Sequence, residues 1–181
     1  MKVAFAAAYS RVSDENLALI PNSAVVASID RVQSDKDVGY FQIGGYIQHV
    51  PTGLFLYAAY GKENGDVVYS GNTLLPTRYD ADGDHWYVKA GLRRKWHALG
   101  HTVMYGEYGQ MNDMLSPTIG LPGDSSELTK WGLGVVQEID AAAMSLWLSY
   151  RNYDGEHTSP AGVVLNEVDA QYIKAGALIN F

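Results

Sequence analysis

Ionisable side chains at every second position of otherwise apolar segments are the chemistry-bearing feature of this sequence. In residues 86–96 (WYVKAGLRRKW), Lys89, Arg93 and Lys95 alternate with apolar positions, and Arg151 and Lys174 stand in the same way in residues 144–151 and 171–181. Glu107 and Glu138 oppose them from neighbouring segments. A strand repeats every two residues, so these groups share one face. Charges on an enclosed strand face need water or a partner. Around a water-filled passage they set ion preference and the field a solute crosses. Packed against one another, they would instead fill the interior of a small barrel, which eight strands leave only just wide enough for side chains.

Other chemistries find less support. Residues 80–84 (DADGD) resemble the front of a calcium loop, but the twelfth position, where a bidentate Glu belongs, is Gly91, which leaves a solvated acidic loop as the simpler reading. His97 and His101 flank a tight turn, and no third ligand accompanies them or His85 and His157, so no metal site is expected. There is no Gly-x-Ser-x-Gly. Gly132-x-Gly134 sits inside a strand with no following helix, which suits a curved wall better than a phosphate. No enzyme activity and no cofactor are expected. A net charge of −7 argues against nucleic acid, and the absence of cysteine removes disulfide and thiolate–metal frameworks.

The elements that would carry the charged face read as strands. Thirteen Tyr, four Trp and nineteen Gly against six Pro favour strands and tight turns. No run approaches the roughly 20 apolar residues of a membrane-spanning helix. Three pairs of alternating segments are joined by very short turns: 38–50 and 54–61 about Pro51-Thr52-Gly53, 86–97 and 101–108 about Ala98-Leu99-Gly100, and 129–139 and 142–153 about Asp140-Ala141. Residues 62–84, 109–127 and 154–168 between the pairs read as long polar loops. A strand over residues 2–12 and a last one over 171–181 bring the number to about eight. Residues 21–36 are open between a further strand and a loop. Residues 1–8 are too short for the apolar core of a signal peptide and read as strand; the sequence is then a mature form or the C-terminal part of something longer.

Short turns on one side and long loops on the other are the pattern of transmembrane barrels. The expected fold is all-β: a single 1–181 domain forming an antiparallel up-and-down transmembrane β-barrel of about eight strands. In residues 86–96 the lipid face is Trp86, Val88, Ala90, Leu92 and Trp96, with Arg94 snorkelling near one end. Trp86, Trp96, Trp131 and Phe181 are the expected membrane-interface aromatics. Lys89, Arg93, Lys95, Glu107, Glu138, Arg151 and Lys174 are the expected inner lining.

Residues 86–108 (WYVKAGLRRKWHALGHTVMYGEY), residues 131–153 (WGLGVVQEIDAAAMSLWLSYRNY) and the terminal Phe181 resemble the C-terminal half of a Gram-negative, proteobacterial outer-membrane porin. The resemblance implies a sixteen-stranded trimeric barrel that passes small hydrophilic solutes and ions, with the eight strands of this chain as half of that sixteen-stranded barrel. It also implies location in the outer membrane, contact with its lipid and lipopolysaccharide, and recognition of the Phe181 strand by the barrel assembly machinery. Two other readings are a closed eight-stranded outer-membrane barrel with a structural or adhesion role, and a soluble lipocalin-like carrier. The carrier would need the apolar face inside and the charges outside.

Overall fold

Two-residue alternation runs through most of the chain, and the computed structural model is correspondingly all-β. It describes residues 1–21, 29–70, 77–80, 82–114, 125–159 and 161–179. The strands are β1 (Lys2–Pro21), β2 (Ile29–His49), β3 (Leu54–Ser70), β4 (Thr77–Asp80), β5 (Asp84–His97), β6 (Gly100–Asn112), β7 (Ser125–Ile139), β8 (Met144–Thr158) and β9 (Val164–Ile179). Each pairs antiparallel with the next along β1-β2-β3-β5-β6-β7-β8-β9. β4 lies end to end with β5 along β3, which pairs with β5 over Leu54 to Lys62 and with β4 over Asp66 to Tyr69. Among the described residues β1 and β9 do not pair, so the sheet is up-and-down but open.

All three short turns fall where the sequence places them. At the first, the Gly53 N–H donates to the His49 carbonyl (2.8 Å), and the Gly53 carbonyl accepts from the Arg93 N–H (2.9 Å). Gly53 adopts φ +79°, and a Cβ there would collide with the Arg93 carbonyl oxygen. Gly53→Ala is therefore expected to cost about 2 kcal/mol, the middle of the range for a strained left-handed residue, and urea unfolding of the refolded protein checks it. At the third turn, Asp140–Ala142 form a short 3₁₀ segment closed by Ala143 at φ 45°.

The long loops are shorter than expected. β3 continues to Ser70, β6 to Asn112 and β8 to Thr158, while β7 begins at Ser125 and β9 at Val164. The connection from β8 to β9 is a tight turn in which the Ser159 N–H donates to the Val163 carbonyl (2.9 Å). The backbone ladder carries on past the point where the apolar rhythm stops. Alternation marks only the stretch in which one face is apolar, and a strand that is polar on both faces leaves no such signal. Residues 24–28, part of the uncertain 21–36 segment, lie outside the described residues; Ile29 begins β2.

The two faces differ in an unusual direction. One carries Val3, Ile47, Leu56, Ala90, Gly106, Leu133, Tyr150 and Ile173 in a single row across eight strands. Most of its large side chains are exposed, Phe5 at 79% and Ile173 at 72%. The opposite face carries polar and ionised groups and is the more enclosed. Val38 is the single buried hydrophobic side chain among the described residues, whereas Gln48, Glu107, Ser126, Ser149 and His157 are all buried on the polar face. Among the described residues no second layer covers the polar face, so its enclosure comes from its own side chains crowding across the strands.

Candidate functional site

The enclosed face is organised in lateral rows fixed by strand register. The central one runs Ala4, Tyr46, Tyr57, Lys89, Glu107, Gly132, Arg151, Tyr172 from β1 to β9. Glu107 is its hub, with a side chain only 1% exposed. It accepts from the Tyr87 hydroxyl (2.6 Å), pairs with the Lys89 ammonium (3.2 Å) and accepts from the Arg151 guanidinium. Arg151 also donates to the Tyr172 hydroxyl (3.3 Å), which lies 3.2 Å from that of Tyr153. Tyrosine hydroxyls thus extend the ionic network at both ends.

Glu107 on β6 and Arg151 on β8 are separated by β7, about 10 Å at an interstrand spacing of about 4.8 Å. They meet because the residue between them is Gly132. A Cβ there would stand 3.0 Å from Arg151 Cγ, 3.2 Å from Glu107 Oε1 and 2.7 Å from the Tyr150 carbonyl oxygen. The same exchange of bulk for a bare backbone recurs in the neighbouring rows, where Tyr105 covers Gly134 and Trp147 covers Gly176. Gly132-x-Gly134 therefore makes room for cross-strand contacts.

A second cluster sits at the short-turn end. Arg93 forms a fork on Glu138, with Nε–Oε1 at 3.0 Å and Nη2–Oε2 at 2.6 Å, and Lys95 reaches Asp140 at 3.0 Å. The hydrogen bond from Lys95 holds the Asp140 carboxyl below the ordinary aspartate value. His101 turns towards Glu138, with Nδ1 3.5 Å from Oε2. His101, Glu138 and Asp140 could offer ligand atoms within 4.8 Å of one another. Arg93 and Lys95 already neutralise both carboxylates, so a cation would have to displace them.

Five of the seven lining residues read from the sequence thus meet in two networks, Lys89, Glu107 and Arg151 in one and Arg93 and Glu138 in the other. Lys95 is joined to Asp140, a partner that the sequence reading treated only as part of a turn. Lys174 meets neither glutamate; its ammonium lies 4.8 Å from the centroid of the Tyr172 ring. Lys130 was missed. It points to the same face and lies 4.6 Å from the Tyr87 ring centroid. Its position two residues before Gly132 carried the signal, because the period that puts Gly132 and Gly134 inward puts Lys130 there too.

Three of the interface aromatics lie among the described residues. Trp86 packs on Tyr108 (5.2 Å between centroids) and Trp131 on Tyr150 (5.4 Å), all on the apolar face. Trp96 is exposed beside the register shift between Arg94 and His97 at the opposite end. Phe181 lies outside the described residues. So does Ala81 of the 80–84 acidic stretch, while Asp84 opens β5 opposite Lys62 and Asn112. His85 stacks on Tyr40 at 6.0 Å with an interplanar angle of 2°.

The arrangement offers a row of fixed charges and hydroxyls along one face of a sheet whose other face is apolar across its central band. No known protein family, curated protein or solved structure matches this chain.

Proposed function

We propose that this chain forms the wall of an outer-membrane β-barrel through which small hydrophilic solutes and ions diffuse passively. The observation that carries this reading is the inverted burial: bulky apolar side chains are exposed on one face, and the ionised network is enclosed on the other. A water-soluble sheet protein hides its apolar face, and a lipocalin-like carrier would do so inside its barrel. Lipid is the solvent that suits the face found here. Trp86 and Trp96 bound it ten residues apart, about 34 Å of strand at about 3.4 Å per residue. At a tilt near 45° this is about 24 Å of height, close to the apolar band of about 25 Å of transmembrane barrels. The strands run on beyond that band at the end away from the short turns.

In a bilayer the open β1 and β9 edges must be covered, since each unsatisfied backbone group in hydrocarbon costs several kcal/mol. They are antiparallel to each other, as the first and last of an eight-strand up-and-down path must be, so the edges are compatible with closure on each other or on further strands. Lipopolysaccharide around the apolar face, the assembly machinery at the last strand and a trimeric assembly belong to the same reading. It involves no covalent step and no cofactor.

A second reading, a closed small barrel with no open pore, is favoured by the mutual pairing of Glu107, Lys89 and Arg151, which could plug the lumen. Single-channel recording of the refolded chain in a planar bilayer separates the two. Steady ohmic steps are expected of the channel, whereas a silent bilayer with insertion confirmed would select the plugged barrel.

A further inference from the structure

The charge of this chain is divided between the two faces of its sheet, and the division runs against the total. Among strand residues in continuous register whose side chains are described, the enclosed face carries six basic groups: Lys2, Lys89, Arg93, Lys130, Arg151 and Lys174. Against them stand three acidic ones, Glu63, Glu107 and Glu138. The outer face has the reverse balance, eight acidic groups to three basic, with Glu127, Asp154, Glu156, Glu167 and Asp169 gathered at the ends of β7, β8 and β9. Glu127, Glu156 and Glu167 stand directly opposite one another in register. Among these residues the net negative charge is therefore a property of the outer face.

Two of the three enclosed carboxylates are also committed. Glu107 is shared by Lys89 and Arg151, and Glu138 is held by the fork of Arg93. Neither Lys130 nor Lys174 forms an ion pair among the described residues. Each ammonium rests instead on a tyrosine ring, Lys130 on Tyr87 and Lys174 on Tyr172. An aromatic face orients a cation and shields it from part of its water without cancelling its charge. Positive potential thus persists on the enclosed face from β5 to β9, and a low-dielectric wall focuses such a potential into the space it encloses.

We propose that the enclosed face selects small anions over cations, with Lys130 and Lys174 as the residues that set the preference. This rests on the channel reading above and specifies what that channel takes: small hydrophilic solutes carrying phosphate- or carboxylate-type negative charge, with chloride as the simplest probe. Rings of basic side chains act in this way in anion pores. The total charge alone would argue for the opposite preference.

The test is the zero-current potential of the full refolded chain in a neutral-lipid planar bilayer under a potassium chloride gradient. The expected sign is that of chloride permeating several-fold faster than potassium. In the double variant Lys130→Gln, Lys174→Gln, the ratio should fall towards one or reverse. Lys174 is exposed and neither lysine is a salt-bridge partner of Glu107 or Glu138, so the variant keeps both ion-pair networks. Lys174→Gln alone, expected to lower the ratio in the same direction, serves if the double variant inserts poorly. Ohmic steps with a potential of cation sign would keep the channel and overturn the anion preference, as would a potential that neither variant moves. A bilayer without steps would remove the channel and this preference together.

Discussion

Leu133→Arg is expected to destabilise the folded protein by about 2–4 kcal/mol in lipid vesicles, the range for a cationic side chain on the lipid face near a bilayer midplane. Leu133 lies mid-row on the bare apolar face and is 59% exposed. In water, an exposed leucine of this kind could be replaced at a cost within about 0.5 kcal/mol. The size of the effect therefore reports which solvent the face meets. Depth supplies an internal control. Thr129 points to the same face four residues nearer the long-strand end of β7, and Thr129→Arg should cost only about 0–1 kcal/mol near an interface. Urea titrations of folding into vesicles, followed by tryptophan fluorescence, measure both. Equal and small costs at the two positions would end the assignment of this face to lipid.

Glu107→Gln should be the most damaging conservative change on the enclosed face. It keeps the shape but leaves Lys89 and Arg151 converging on a neutral amide. Removing one member of a buried ion pair costs about 3–5 kcal/mol. The side chains of Lys89 and Arg151 are 28% and 30% exposed, so water shares the task of solvating them, and a value near about 3 kcal/mol is expected. The penalty arises from the stranded cations more than from the lost attraction. A compensated variant, Glu107→Leu with Lys89→Met and Arg151→Met, should therefore recover much of the loss, because well-packed apolar replacements of buried ion pairs are often neutral. The same vesicle titration reads both variants. If Glu107→Gln cost less than about 0.5 kcal/mol, within the range of ordinary surface changes, the network would not be holding the sheet together.

Such a network also bears on conduction. Arg151 spans a whole strand to reach Glu107 because Gly132 offers no side chain in between. The ion pairs lie flat along the wall, from β5 through β6 to β8, which is compatible with an open passage beside them. In the plugged reading the same paired groups would fill an interior that eight strands leave only just wide enough for side chains, and silent insertion is the result that would require it.

Much of this organisation was legible in the sequence because the strand period is short and strict. Lys89, Arg93, Glu107, Glu138 and Arg151 could be assigned to one face by counting in twos, and the three short turns by their length and residues. Counting in twos also separates Trp86 and Leu133 from Lys89 and Gly132, and the structure keeps that separation. What could not be counted is lateral. Which residue of β6 stands beside which residue of β8 depends on register accumulated across two hairpins, so the Glu107–Gly132–Arg151 row and the space Gly132 leaves were invisible. From the sequence Asp140 reads only as a turn residue, because its link to Lys95 joins two different hairpins. The strand ends were also hidden: where both faces are polar, hydrogen bonding continues without an apolar rhythm to report it. Local alternation by itself determined the all-β class and the identity of the two faces, because both follow from the geometry of a single extended chain. Pairing partners, the open edges and the excess of positive charge on the enclosed face were decided only in the tertiary structure, because each depends on which strands lie side by side.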